Sequence, residues 1–205
     1  VDLWSPRDEA AVNLCRNALR DGDLILALLA VERARNETID RVQSTLAEWA
    51  QAVDGVIRSD GLDAHSALKR VLGDEAGLSG QSENYYHPRN CQVSSVIRRR
   101  HGMPILLSSL WIAVGHLSGL SVDGVGLPGH FIVRVGGKNG VLADPFASGR
   151  MVGVEKCIRM VRQLRNISWD ERFLDAVTTE QLIARVCRNL LVCYQREERG
   201  QSLYR

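Results

Sequence analysis

Apolar residues recur at helical spacing in the first third and the last quarter of the chain. Between residues 38 and 56, one stripe holds Ile39, Val42, Leu46, Trp49 and Val53. Such spacing predicts an amphipathic helix with one buried face. The same pattern predicts helices over residues 6–20, 24–34, 64–72, 154–165 and 179–196. We therefore expect a helical lobe over residues 1–75 and further helices at the end of the chain.

The middle of the chain contains two more predicted helices and then three short β-branched runs. The helices span residues 91–100 and 105–117, and the second is apolar around most of its surface. The runs 122–126, 131–135 and 141–144 have the composition of strands. The segment 136–140 supplies Gly and Asn residues, which tolerate the positive φ of a hairpin turn. These elements predict an α+β fold in which a small antiparallel sheet packs on a central helix.

The predicted hairpin brings a histidine and an acid together from its two arms. Facing residues of an antiparallel pair have numbers with a constant sum, which a turn centred near Lys138 sets here. His130 and Asp144 come close to that sum, so we expect them almost opposite each other. A carboxylate on one imidazole nitrogen fixes the tautomer and leaves the other nitrogen free as a base. The alternative is that Asp144 caps backbone amides at a strand-ending turn.

Composition is that of an ordinary soluble globular protein. The chain is 45% hydrophobic and 24% charged, and its net charge of +2 gives no strong argument for nucleic acid or a membrane surface. The basic run Arg98-Arg99-Arg100-His101 is interpreted as a solvated helix end. No apolar run is long enough for a membrane span, and no signal peptide is recognisable. We expect a cytoplasmic protein with no cofactor and no nucleic-acid or membrane partner.

Five cysteines are present: Cys15, Cys91, Cys157, Cys187 and Cys193. Their odd number and the absence of CxxC spacing favour reduced thiols, and no Cys/His grouping has zinc-ligand spacing, so no metal is expected. Cys91 stands at a predicted helix N-terminus, where the dipole would favour the thiolate. A helix of about ten residues, roughly 15 Å long, would separate it from Pro104. An inert thiol is therefore the more conservative interpretation.

Several motifs of the middle region, taken together, closely resemble the SirB1 family, whose core is transglutaminase-like. Their order and spacing fit that family, and weaker similarity extends through nearly the whole chain. The motifs are Tyr85-Tyr86-His87-Pro88-Arg89-Asn90, Arg99-Arg100-His101-Gly102-Met103-Pro104-Ile105, Gly124-Val125-Gly126-Leu127-Pro128-Gly129-His130-Phe131, and Asp144-Pro145-Phe146 with Gly149-Arg150.

The resemblance implies a bacterial protein with a papain- or transglutaminase-like core over residues 76–153, which retains only part of the catalytic apparatus. Transglutaminases place their nucleophilic Cys in a Gly-x-Cys pattern, and the matching residues here are Gly102-Met103-Pro104. Pro104 thus occupies the position of the nucleophile, while His130 and Asp144 match the other two triad positions. The resemblance also implies that residues 154–205 include the start of a tetratricopeptide-like extension.

Three functions follow as hypotheses. The first is a pseudoenzyme whose pocket around His130 and Asp144 binds a protein or peptide partner or a small amide-bearing ligand. Its remaining expected lining is Tyr86, Asn90, Gly102, Pro104 and Gly129. The second is a thiol-dependent hydrolase or acyltransferase with Cys91, His130 and Asp144 as nucleophile, base and orienting acid. The third is a helical scaffold that docks to a partner protein.

Overall fold

The computed structural model describes residues 5–164 and 167–202, and it opens with a set of packed helices. Ser5 caps the first helix by accepting from the Asp8 amide, and Gly61 ends the third with a φ of 65°. The fourth helix runs on into the π-helical segment Lys69–Glu75. The first four helices are α1 (Pro6–Arg20), α2 (Leu24–Val31), α3 (Asn36–Asp60) and α4 (Ala64–Leu68).

Four more α-helices complete the helical part of the described chain. Pro104 begins the sixth helix, where a missing amide hydrogen costs nothing because the first amides of a helix have no partner within it. Short 3-10 turns cover Pro88–Cys91, Pro145–Ala147 and Glu171–Leu174. The four helices are α5 (Val93–Arg99), α6 (Pro104–Leu117), α7 (Val154–Arg162) and α8 (Thr179–Ser202).

The strands form two small sheets. Two-residue strands β1 (Ser79–Gly80) and β2 (His101–Gly102) pair in parallel. The larger sheet is antiparallel in the order β3-β4-β5-β6, so each strand pairs with the next in sequence. Its strands are β3 (Val122–Val125), β4 (Ile132–Val135), β5 (Val141–Asp144) and β6 (Arg150–Met151).

Helix α6 lies at the centre of the core and is buried on almost every side. Trp111 and Leu107 are fully buried within it, and they pack between the larger sheet and the N-terminal helices. Alternation along β4 sends Val133 to this main core and Ile132 to a second apolar cluster on the other face of the sheet. The sheet is therefore covered on both faces, and the main core is continuous from α2 to α8.

The predicted α+β class, with a small antiparallel sheet on a central helix, is confirmed. The three predicted strands are present with ends shifted by one residue or less. The division at residues 75 and 153 stays a prediction, because the main core includes side chains from all three segments. Within the described ranges, no helix combines the length and the hydropathy that a membrane crossing requires.

Some element bounds differ from those predicted, for local reasons. Helix α2 ends at Val31 rather than Ala34, because Arg33 takes a φ of 54° and reverses the chain. The helix predicted from Cys91 begins at Val93. Strands β1, β2 and β6 were not predicted, since two residues are too few to show alternation. Arg165, the predicted end of α7, lies outside the described residues.

Candidate functional site

His130 and Asp144 meet as the hairpin predicts. His130 Nε2 lies 3.0 Å from Asp144 Oδ2. The ladder pairs Val133 with Ala143, so Ile132 lies opposite Asp144 and His130 precedes Ile132 by two residues, just before β4 begins. A tight turn orients His130, whose amide donates to the Leu127 carbonyl at 3.2 Å. The carboxylate thus comes from the end of β5, and the imidazole comes from the turn that leads into β4.

Asp144 is fixed from both of its oxygens. While Oδ2 contacts His130, Oδ1 accepts from the Phe146 amide at 3.0 Å, and Asp144 is only 3% exposed. The Phe146 ring then meets the His130 ring edge to face, with centroids 5.9 Å apart. Asp144 therefore serves in both ways that the sequence left open, as a cap of the following turn and as the partner of the imidazole.

A cavity of about 350 Å³ opens beside this pair. Tyr85 and Tyr86 form one wall, and the start of α6 together with α8 forms the others. The lining residues are Tyr85, Tyr86, Met103, Pro104, Ile105, Gly129, His130, Phe131, Arg185, Asn189 and Val192. Four residues expected from the sequence, Tyr86, Pro104, Gly129 and His130, are among them. The cavity thus combines the histidine with the helix N-terminus where the resemblance places a nucleophile.

Asn90 and Gly102 lie outside the lining of this cavity. Asn90 is buried, and its side chain donates to the carbonyls of Asn84 and Tyr85 at 3.0 and 3.1 Å. It therefore holds the tyrosine loop in place from behind. Gly102 lies in β2, where an added Cβ would come 2.6 Å from a Val96 methyl group. Its lack of a side chain lets β2 pack against α5, so both residues support the site indirectly.

Cys91 does not occupy the helix N-terminus that the sequence predicts. It ends a 3-10 turn, and the chain folds back so that its sulfur lies 2.9 Å from Met103 Sδ and 4.0 Å from Cys193 Sγ. The hydrogen bond to Cys193 and burial raise the pKa of the Cys91 thiol. The Cys91 sulfur therefore contacts Met103 and Cys193, whereas the thiol-enzyme hypothesis requires it to contact the His130 imidazole directly.

Sequence reasoning missed the contribution of α8. Arg185 Nη2 donates to the carbonyls of Leu127 and His130 at 2.8 and 2.9 Å, so it braces the turn that carries the histidine. A signal was present: Arg185, Asn189 and Val192 follow helical spacing beside the buried stripe of the same helix. Within the described residues, no three His, Cys, Asp or Glu side chains converge as metal ligands.

Comparison with known proteins identifies the family. The sequence profile of the Transglutaminase-like superfamily matches residues 37–188, which include every residue of the cavity except Asn189 and Val192. A UPF0162 protein of Xylella fastidiosa is 35% identical over 140 residues, covering 65% of this chain and 50% of that protein. A UPF0162 protein of Vibrio cholerae is 28% identical over 147 residues, covering 66% of this chain and 52% of that protein.

A human relative is more distant. F-box only protein 21 of Homo sapiens is 27% identical over 145 residues, which cover 66% of this chain and 22% of that protein. The chain thus spans about half the length of the bacterial relatives and less of the human one. No solved structure gives a significant match.

The profile match covers well over half of the chain, which therefore belongs to the Transglutaminase-like superfamily. Within that class it is a SirB1-like protein with a transglutaminase-like core, as its motifs predict. The family match agrees with a helix, a histidine and an acid that converge on one cavity.

Proposed function

We propose that this protein is a pseudoenzyme that binds a peptide segment in the cavity beside His130. The observation that carries the proposal is the pairing of an intact His130–Asp144 contact with Pro104 at the start of α6. Both His130 and Pro104 line the same cavity, so the geometry of an acyl-transfer site persists around a residue that cannot react.

Pro104 lacks both groups that acyl transfer takes from this position. Its side chain has no nucleophilic atom, and its backbone nitrogen has no hydrogen to donate to an oxyanion. Cys91 does not compensate, because its buried sulfur contacts Met103 and Cys193. Covalent catalysis needs a nucleophile within hydrogen-bonding reach of the base, so binding is the function that these residues support best.

The imidazole is well placed to bind an amide. In the neutral ring, an Nε2–H that donates to Asp144 leaves Nδ1 as an acceptor for a ligand N–H. Asp144 and Phe146 fix the ring, so little side-chain entropy is lost on binding. The cavity volume of about 350 Å³ lies at the lower end of the range for ligand sites and suits a short peptide segment.

A titration with a neutral dipeptide tests the proposal. We expect N-acetyl-Gly-Gly-amide to cause saturable shifts in the NMR signals of the Tyr86, Gly129 and His130 amides. His130→Ala should weaken the interaction about tenfold, the value of one lost hydrogen bond. Because it also leaves the buried Asp144 without its partner, the titration is made well below the melting temperature of the variant. The control His101→Ala removes an exposed histidine outside the cavity and should bind the probe like the wild type.

Two results would contradict this function. If neither this probe nor the free dipeptide N-acetyl-Gly-Gly shifts a cavity signal at millimolar concentration, the cavity is not a peptide site. If the wild type releases p-nitrophenol from p-nitrophenyl acetate faster than the His130→Ala variant does, the protein is a catalyst and not a pseudoenzyme.

A second candidate is the helical scaffold, which exposed apolar residues on α8 favour. Leu191 is 59% exposed and Tyr194 is 46% exposed. Large apolar groups in water are typical of surfaces that another protein covers. Partner binding that survives His130→Ala but is lost when Leu191 becomes Glu would support the scaffold over the pocket.

A further inference from the structure

The polar groups that line the cavity are mainly donors, and no carboxylate is among the described lining residues. Arg185 contributes a guanidinium, Tyr85 a hydroxyl and Asn189 an amide. Asp144 is near but stands behind the imidazole, with both oxygens already bonded. A lining with a guanidinium and neutral donors but without a carboxylate disfavours cations and favours a ligand that carries acceptor oxygens.

Within the described part of the chain, Arg185 is a cation with no acid to neutralise it. No carboxylate there lies within ion-pair distance of its guanidinium, which instead contacts two carbonyls and the face of Phe131, 5.4 Å from the ring centroid. Burial lowers the pKa of this guanidinium, although it stays protonated at neutral pH. A half-buried charge without a counterion is costly, and an anionic ligand would remove that cost.

The same cavity is lined by two uncharged donors, Tyr85 and Asn189. Among residues 5–164 and 167–202, neither the Tyr85 hydroxyl nor the Asn189 side chain has a hydrogen-bonding partner, and both residues are only partly buried. Burial raises the pKa of Tyr85 to about 12, so the hydroxyl remains a donor at physiological pH. Both groups can therefore donate to an oxygen of the ligand.

The backbone and the rim add to the positive potential. Helix α6 is 14 residues long and begins at the cavity with Pro104 and Ile105, so the positive end of its dipole faces the same space. At the rim, the Arg196 guanidinium lies over the Tyr86 ring, 3.6 Å from its centroid. Charged side chain, helix dipole and neutral donors thus favour the same sign of ligand charge.

We propose that the cavity recognises a free carboxylate, namely the C-terminal carboxylate of a peptide. This inference rests on the proposed function and specifies its ligand. The carboxylate pairs with Arg185 and accepts from Asn189 and Tyr85, while the preceding peptide N–H donates to His130 Nδ1. Charge-assisted hydrogen bonds of this kind are about twice as strong as neutral ones, so the carboxylate dominates recognition.

The test compares three probes by NMR titration of the full chain. N-acetyl-Gly-Gly, with its free carboxylate, should bind about tenfold more tightly than N-acetyl-Gly-Gly-amide, because the charged group adds about one strong hydrogen bond. Sodium acetate distinguishes a peptide terminus from a small carboxylate. Acetate that binds as tightly as the free dipeptide overturns the assignment to a peptide terminus.

A charge placed in the lining gives the second measurement. Asn189→Asp should abolish the roughly tenfold preference for the free dipeptide over its amide, because the new carboxylate repels the carboxylate of the ligand. The matched control is Gln181→Glu, the same gain of negative charge at an exposed position of α8, which should keep the preference. An unchanged preference in Asn189→Asp overturns the inference.

The outcomes separate this inference from the proposed function. Equal binding of the free and amidated dipeptides ends the carboxylate inference and leaves the peptide pocket intact. Failure of both dipeptides to shift the cavity signals ends both. A preference that is lost in Asn189→Asp and kept in Gln181→Glu supports both.

Discussion

Pro104 decides what chemistry the His130–Asp144 pair can perform. The pair has the contact, burial and fixed orientation of a catalytic base and its orienting acid. A base and its orienting acid can act only on a nucleophile beside them, and the residue at that position of the cavity is Pro104. Under the proposed function, a single side chain therefore separates a thiol enzyme from a binding pocket in this core.

Restoring a thiol at this position tests that view. In Pro104→Cys we expect the imidazole to stabilise a thiolate, so iodoacetamide should label the introduced thiol more than about tenfold faster at pH 7 than it labels wild-type Cys91. Peptide mapping by mass spectrometry measures each rate separately. The double variant Pro104→Cys with His130→Ala is the control and should lose most of the gain. Equal rates in the single and double variants would show that the imidazole does not face this position.

Single residues of the site differ in how well the sequence predicts their position. The meeting of His130 and Asp144 followed from the position of one turn, because a short hairpin fixes its own register. The placement of Asn90 and Cys91 depended on how the chain folds back after a 3-10 turn toward Met103. Such a return depends on long-range packing, which local spacing does not encode.

At the scale of elements, a partly buried acid joins α2 to α5. Glu32 follows the last residue of α2, and its carboxylate accepts from the Ser94 hydroxyl at 2.6 Å and from the Ser94 amide at 3.3 Å. It thereby caps the first turn of a helix far away in the chain. Burial raises the pKa of Glu32 to about 7 although these hydrogen bonds oppose the shift.

This shift makes stability depend on pH. The folded-state pKa of Glu32 is above its ordinary value of 4.5, so its contribution is fully present below about pH 4.5 and is lost as pH rises through about 7. Glu32→Gln keeps an acceptor without the charge. Between pH 5 and pH 8 the wild type should lose stability while Glu32→Gln should not. The difference in free energy of unfolding between variant and wild type should therefore shift in favour of the variant, by about 3 kcal/mol at most.

Urea denaturation at pH 5, 6, 7 and 8 measures the effect. The control variant Glu37→Gln removes an exposed carboxylate from the first turn of α3 instead. A difference between Glu32→Gln and the wild type that stays constant across this range would mean that the Glu32 carboxyl does not change its protonation between pH 5 and pH 8.

At the scale of the whole molecule, the loop before β6 contacts both α4 and α6. The His65 ring of α4 contacts the Gly149 carbonyl at 2.8 Å, and an added Cβ at Gly149 would overlap the ring of Trp111 in α6. Gly149 also has a φ of 77°, which disfavours any side chain. The loop before β6 therefore packs against both α4 and α6.

Gly149→Ala should weaken the whole fold. We expect a loss of about 2–4 kcal/mol in the free energy of unfolding, from the strain of a positive φ together with overpacking against Trp111. Gly119→Ala is the matched control, because Gly119 has a φ of 66° and nothing within 4 Å of the added methyl group. It should cost about 1 kcal/mol.

Urea unfolding followed by tryptophan fluorescence and by circular dichroism checks this prediction. Because the main core is continuous, both signals should give one coincident transition in each protein. Equal losses in Gly149→Ala and Gly119→Ala would show that the contact with Trp111 is unimportant. Separate transitions for the two signals would mean that the lobe and the core unfold independently.

The sequence by itself determined the helices with regular apolar spacing, the three strands of the hairpin region and the contact between His130 and Asp144. Each of these depends on periodicity or on a short turn, so neighbouring residues suffice to specify it. Tertiary structure alone placed Arg185 against the His130 loop, turned Cys91 toward Cys193 and closed the cavity with α8. These contacts join residues far apart in the chain, and packing of the whole core decides which of them meet.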